Sequence, residues 1–190
     1  DMSNIEIATT GLRAEINPMG AELTRLRSGD GRDFLWDGDL AIWNGRAPLL
    51  FPFVGGLAGD GYNYNGERFA MPRHGFARRS VFTLTDQSAS SAEFTLAANP
   101  ETRTIYPFEF ALHILFEVME NTLRMQVSVK NEDDRPMPYN FGFHPALRWP
   151  LPDGSPRGEH VIAFDQPELA PVRRLNSQGL LNDERFPTPV

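Results

Sequence analysis

Ala111-Leu112-His113-Ile114-Leu115-Phe116-Glu117-Val118-Met119-Glu120-Asn121-Thr122-Leu123-Arg124-Met125-Gln126-Val127-Ser128-Val129-Lys130 decides the fold class. Leu112, Ile114, Phe116 and Val118 recur every second residue, with Ala111, His113, Leu115 and Glu117 between them. A period of two is that of a strand with one face buried. Glu120-Asn121-Thr122 turns the chain, and Leu123, Met125, Val127 and Val129 then alternate with Arg124, Gln126, Ser128 and Lys130. Two alternating runs joined by a short turn predict an antiparallel hairpin, apolar on one face and wetter on the other. His113 falls on the wetter face and reads as structural or exposed.

The same period extends outward. Val81 to Thr85 and Glu93 to Leu96 read as strands. Nearer the N-terminus, Ile5 and Ile7 flank Glu6, and Leu12, Ala14 and Ile16 alternate with Arg13 and Glu15. Asn17-Pro18-Met19-Gly20 and Ser28-Gly29-Asp30-Gly31 are turns. Phe34-Leu35-Trp36 enters a loop rich in Gly and Asp. No helical spacing is sustained over residues 5–35, so the expectation is an all-β chain, folded as one domain over 1–190. Beyond residue 150 prolines interrupt the pattern, and Val161-Ile162-Ala163-Phe164 is the one run there that reads as a strand. The terminal Phe186-Pro187-Thr188-Pro189-Val190 does not read as a domain end.

Composition narrows the function. The 190 residues are 41% hydrophobic and 23% charged, ordinary for a soluble globular protein, and the formal charge is −7. That balance argues against a nucleic-acid partner, which calls for a basic face. There is no cysteine, so no disulfide and no thiolate chemistry, which suits a cytoplasmic location. No apolar run approaches membrane-spanning length, and no basic-then-apolar signal pattern opens the sequence. A metal site is not expected, because the four histidines show no ligand spacing. No Gly-x-Ser-x-Gly elbow supports a serine nucleophile, and no carboxylate pair stands out for glycoside hydrolysis. Gly55-Gly56, Gly59 and Gly61 lack the strand-then-helix setting of a phosphate loop.

Three segments carry candidate chemistry. Pro138-Tyr139-Asn140-Phe141-Gly142-Phe143-His144-Pro145 sets a histidine among aromatics, and Pro145 holds His144 to extended backbone. Asn140 is an amide and Phe141 a flat apolar face beside it. Arg73-His74-Gly75-Phe76-Ala77-Arg78 sets a second histidine between arginines, before a glycine that allows close approach by backbone or ligand. Trp43-Asn44-Gly45-Arg46 places one arginine before the apolar run Ala47 to Pro52. Each has a plain alternative: a core histidine on a strand for His144, a solvated loop for His74 and its arginines. Together the set suits proton transfer on a neutral polyol: histidine as acid or base near pH 7, arginine and amide on hydroxyls, aromatics over the ring.

Asn44-Gly45-Arg46, His74-Gly75-Phe76 and Gly142-Phe143-His144-Pro145 occur in the order and spacing of the aldose 1-epimerase (galactose mutarotase) family. Arg46-Ala47-Pro48-Leu49-Leu50-Phe51-Pro52 and His74-Gly75-Phe76-Ala77-Arg78 are most similar to its less characterised bacterial branch. The resemblance runs from about the N-terminus to about Leu151. It implies a large antiparallel β-sandwich with an open sugar cleft and no cofactor, interconverting the α and β anomers of an aldohexose. By that match His144 is the general acid on the ring oxygen, His74 hydrogen-bonds the sugar near that oxygen, and Arg46 holds a hydroxyl. The family's general base, a glutamate in a segment like Ile-Glu-Pro-Trp, has no counterpart here; Glu159, Glu168 and Glu184 match nothing. The expectation is therefore that the protein continues beyond Val190, adding strands and a glutamate facing His144. Two alternatives stay open. One is a hexose 6-phosphate substrate read by Arg78 or Arg73. The other is a sugar-binding module without the base.

Overall fold

The computed structural model describes residues 3–167 and 169–186. Asp1, Met2, Glu168 and the terminal 187–190 lie outside that description, and so do the readings placed on them. The strands are β1 (Ile5–Ala8), β2 (Leu12–Asn17), β3 (Glu22–Ser28), β4 (Leu49–Leu50), β5 (Gly61–Tyr64), β6 (Glu67–Ala70), β7 (Thr83–Gln87), β8 (Ser91–Ala97), β9 (Phe110–Met119), β10 (Thr122–Asn131), β11 (Gly142–Phe143), β12 (Val172–Leu175) and β13 (Leu181–Phe186). All named strand pairings are antiparallel. The fold is an antiparallel β-sandwich.

The hairpin read from the sequence is β9–β10. Thr122 pairs with Met119 across the two-residue loop Glu120-Asn121, and the register continues to Asn131 opposite Phe110. Strands β10-β9-β8-β7 make one sheet and β1-β2-β3 another. Strands β1 and β2 pack against β8, β9 and β10. Ile7, Ala14, Ile16 and Leu23 from the smaller sheet therefore share one buried cluster with Phe94, Leu112, Ile114 and Phe116 from the larger. Each fully buried Leu, Ile or Phe in it contributes roughly 1.5–3 kcal/mol of apolar transfer energy.

The alternate residues of β10, by contrast, are only half-buried. Leu123 and Met125 line a cavity of about 850 Å³ with Leu12, Leu26, Phe34 and Phe143. Strand β10 is at the edge of its sheet, paired with β9 alone among the described residues, so its apolar side chains lie at the margin of the core.

Two elements depart from the sequence reading. Pro100–Ile105 is a short α-helix, α1, started by the Asn99 side chain, which accepts from the Glu101 and Thr102 N–H groups, with Pro at the first position. Six residues are too few for a helical period to show. Val161 to Phe164 are not a strand: they are exposed and carry no ladder. The strands beyond 150 are instead β12 and β13, a hairpin of mostly exposed residues. β-branched residues favour a strand only where a neighbouring strand completes the ladder, and Val161 and Ile162 have none.

Candidate active site

Residues 140–148 form the spine of the site. Gly142 pairs with Leu50 and Phe143 with Leu49. The register continues beyond the short strands: Asn140 N–H donates to Pro52 O (2.7 Å), His144 N–H to Pro48 O (3.2 Å) and Ala146 N–H to Arg46 O (2.7 Å). On its other edge the segment meets Phe34–Trp36, through Trp36 N–H to Ala146 O and Arg148 N–H to Phe34 O, both 2.9 Å. Residues opposite one another in an antiparallel pair share a face. The ladder therefore puts His144 with Pro48, and Ala146 with Arg46, on one side. Phe143, Pro145 and Leu147 take the other and line the 850 Å³ cavity. That cavity is walled mostly by aliphatic and aromatic side chains, whereas the groups able to move a proton stand on the opposite face.

His144 is exposed, and its ring meets Trp43 edge to face, centroids 5.7 Å apart. The Arg46 guanidinium donates to the Asp37 carbonyl and lies over Gly38, where a Cβ would come within 2.7 Å of it. Trp36, Asp37, Arg46 and Arg148 form part of the wall of a polar cleft of about 310 Å³. Its predominantly polar lining, on the Arg46 side, is suited to hydroxyl groups rather than to a greasy ligand.

His74 is held from a second loop. Phe51 bridges Gly75 in parallel, and its carbonyl accepts from the Phe76 and Ala77 N–H groups at 3.0 and 3.2 Å. A Cβ on Gly75 would sit 2.1 Å from that carbonyl oxygen, and φ here is +71°, so only glycine fits. His74 itself has φ +68°, unusual for a side chain with a Cβ. Two hydrogen bonds to Gly55 secure it: His74 N–H donates to Gly55 O (2.9 Å), and Gly55 N–H donates to His74 Nδ1 (3.0 Å). A backbone N–H can only donate, so Nδ1 accepts and the ring proton sits on Nε2. Burial lowers the His74 pKa, and the positive charges of Arg78, Arg73 and the nearby His144 lower it further. His74 is thus a neutral ring with an Nε2–H donor at pH 7.

Beneath both loops lies an aromatic floor. Phe51, Phe76, Tyr106 and Phe110 are buried, with centroid separations of 5.4 to 6.2 Å. The Tyr106 hydroxyl donates to the Pro138 carbonyl (2.9 Å), tying the floor to the segment that carries His144.

The structure sets the His74 loop and the His144 segment against the same stretch, 46–52, through the Phe51–Gly75 bridge and the Leu50–Gly142 pair, and it puts Arg46 on the His144 face. Asn140 is exposed at the start of the same segment. Phe141 is not brought to that side: it packs against the core. Arg78 turns inward, its Nη2 donating to Arg73 O (3.1 Å), with its Nε buried and unpartnered among the described residues. Sequence reasoning missed Gly55, which orients His74, and Glu22, whose Oε1 accepts from the N–H groups of Arg46 (2.8 Å) and Ala47 (2.9 Å). Both act across 19 residues or more, so no local pattern signals them.

Comparison with known proteins gives the family and the fold. A family model described as aldose 1-epimerase matches residues 3–178. Protein LacX from Lactococcus lactis subsp. lactis is 30% identical over 191 residues, covering 97% of this chain and 64% of LacX. Among solved structures, a galactose mutarotase related enzyme from Lactobacillus acidophilus superposes with a TM-score of 0.83 at 30% identity, over 97% of this chain and 62% of that one. A galactose mutarotase-like protein from Lactobacillus casei ATCC 334 is 36% identical with a TM-score of 0.74, over 76% of this chain and 50% of that one. The chain thus spans less than two thirds of the length of these relatives.

Proposed function

The chain belongs to the aldose 1-epimerase family, and from that premise we propose that its histidine face carries the acid side of anomer interconversion on an aldohexose. The observation that carries the reading is the pairing of two differently prepared histidines. His74 is fixed as a neutral Nε2–H donor, while His144 stands exposed, with no side-chain hydrogen bond among the described residues. A group that must give up and regain a proton needs such freedom; a group that holds substrate needs a fixed tautomer.

In the proposed reaction a base takes the proton from the anomeric hydroxyl. The C1–O1 bond becomes a carbonyl as the bond from C1 to the ring oxygen breaks. His144 delivers its proton to that oxygen. Rotation about C1–C2 and the reverse steps close the other anomer and return both protons. His74 Nε2–H would hydrogen-bond the sugar near the ring oxygen, and Arg46 and Asn140 would hold hydroxyls. Much of the rate would come from holding the sugar in this geometry. The base is a carboxylate that must face His144; among the described residues none bonds to either histidine.

The test is anomer exchange by NMR on the full-length protein, with His144→Gln as control. Exchange lost in His144→Gln with sugar affinity kept supports the assignment. Sugar binding with no exchange in the wild type leaves the binding-module reading standing. A hexose 6-phosphate substrate remains the second reading, because Arg73, Arg78 and Arg79 crowd the His74 loop without a carboxylate ion pair among the described residues. A KM at least about tenfold lower for the phosphorylated sugar, lost in Arg78→Ala, would favour it.

A further inference from the structure

Glu22 opens β3, on the sheet away from both histidines in sequence, yet its carboxylate reaches the base of the site. Its Oε1 accepts from two successive N–H groups, Arg46 at 2.8 Å and Ala47 at 2.9 Å. In a regular strand successive N–H groups point to opposite edges. Two that converge on one oxygen mean that the backbone turns at Arg46, just where the chain leaves the Asp37–Gly45 loop to join the ladder under His144. The Arg46 carbonyl then accepts from Ala146, so the turn fixes Arg46 and the register of the His144 segment together.

The charge of this carboxylate reaches the His74 loop. Its negative charge acts on Arg78, partly offsetting the burial of that guanidinium and the neighbouring charges of Arg73 and Arg79. The turn that presents Glu22 is docked there as well. Gly20 N–H donates to Ser80 O (2.8 Å), and a Cβ on Gly20 would lie 3.0 Å from the Arg78 carbonyl oxygen. Glu22 forms no ion pair among the described residues; its bonds go to backbone. A surface glutamate of β3 with no such task would point to water.

We infer that Glu22 is a positioning residue for the site, its carboxylate fixing the backbone turn that delivers Arg46 to the His144 face, from a segment that Gly20 docks on the Arg78 loop. The inference rests on the proposed sugar-binding role of Arg46, and it makes a demand that a simple stability role does not. Glu22 acts on the sugar through Arg46, so its removal and the removal of the Arg46 side chain are not independent.

The experiment is a double-mutant cycle in the full-length protein, with KM and kcat for anomer exchange as one readout. The amide resonances of Arg46 and Ala47 are the other. Glu22→Ala is expected to raise KM roughly tenfold with kcat changed less, since two N–H groups lose their acceptor and Arg46 its anchor. Glu22→Gln keeps the acceptor oxygen and should recover most of that loss. Adding Glu22→Ala to Arg46→Ala should raise KM by less than about twofold more. In the wild type the two amide resonances should move together as the Glu22 carboxylate titrates, and should stop doing so in Glu22→Gln. Full additivity of the two KM effects, or amides that ignore the carboxylate, would overturn the inference. If the wild type exchanges no anomers, the mutarotase reading fails on that observation alone. The cycle is then read on sugar dissociation constants and the amide titration still decides the role of Glu22. Should Glu22→Ala not fold, Glu22→Gln and Glu22→Asp, the latter too short to reach both amides, carry the same comparison.

Discussion

At the scale of single residues, the two histidines differ in what their surroundings allow. His144 makes one ring contact, with Trp43, and stands open to solvent. Changing it to Gln is expected to lower kcat by roughly 10²–10⁴-fold with little change in KM, because in the proposed reaction its proton is delivered in the transition state. Steady-state anomer exchange checks this, and near-normal turnover would remove His144 from the chemistry. His74→Ala and Arg46→Ala are expected to raise KM more than they lower kcat; unchanged binding in both would move the cleft elsewhere. For His74 the tautomer is itself testable. Nitrogen NMR should show Nε2 protonated at pH 7.5 and a titration midpoint below the ordinary 6.5. The sign of the linked stability follows. Below pH 6.5 the unfolded chain binds a proton at His74 that the folded chain resists, so the folded state is destabilised by acid. This contribution is complete above 6.5 and is lost as pH falls from there through the lower folded value. Urea midpoints measured from pH 7.5 to 5.5 should therefore fall in the wild type and fall less in His74→Gln. The paired carboxylates Asp33 and Glu109 are held below their ordinary values by Arg27 and Arg103, so their losses come at lower pH and do not mask this window.

At the scale of elements, the site depends on close approach between backbones that are far apart in sequence. The Phe51–Gly75 bridge lets the His74 loop lie directly on the strand that leads from Arg46. Gly75→Ala would force a Cβ to 2.1 Å from the Phe51 oxygen at a φ of +71°. We expect a loss of roughly 2–4 kcal/mol in unfolding free energy, read as a lower urea midpoint. A variant of wild-type stability would show that the two backbones are not held together there. The segment 140–148 is the complementary case. It is bonded on both edges, to 46–52 and to 34–36, and strand alternation then decides which side chains share a face. This is why His144 emerges beside Pro48 and Arg46 while Phe141 packs on the core.

At the scale of the molecule, the two long strands of the central hairpin are covered unequally. Strand β9 lies inside its sheet and buries Leu112, Ile114, Phe116 and Val118; β10 is the edge and leaves Leu123, Met125, Val127 and Val129 half-covered. Phe116→Ala is expected to cost about 3–5 kcal/mol, a full cavity in close-packed surroundings. Met125→Ala should cost less than about half of that, because its surroundings include the open 850 Å³ cavity. Equal losses in denaturant unfolding would mean that the β10 face is as fully packed as that of β9.

The sequence by itself determined the all-β class and the β9–β10 hairpin, because a period of two on each side of a short turn buries one face; the register came from the structure, where Thr122, read as part of the turn, pairs with Met119. It also marked His144, His74 and Arg46, through short motifs in a fixed order. It could not give α1, which is shorter than two helical turns, nor the β12–β13 hairpin, whose residues carry little apolar signal. It misjudged Val161 to Phe164, since apolar β-branched residues make a strand only where a neighbouring edge receives them. Only the tertiary structure decided the face of Phe141, the bond from Gly55 that sets the His74 tautomer, and the reach of Glu22 to Arg46. Each of these depends on which backbone edge lies within hydrogen-bond distance of another, and that is set by the packing of two sheets rather than by any residue's neighbours in the chain.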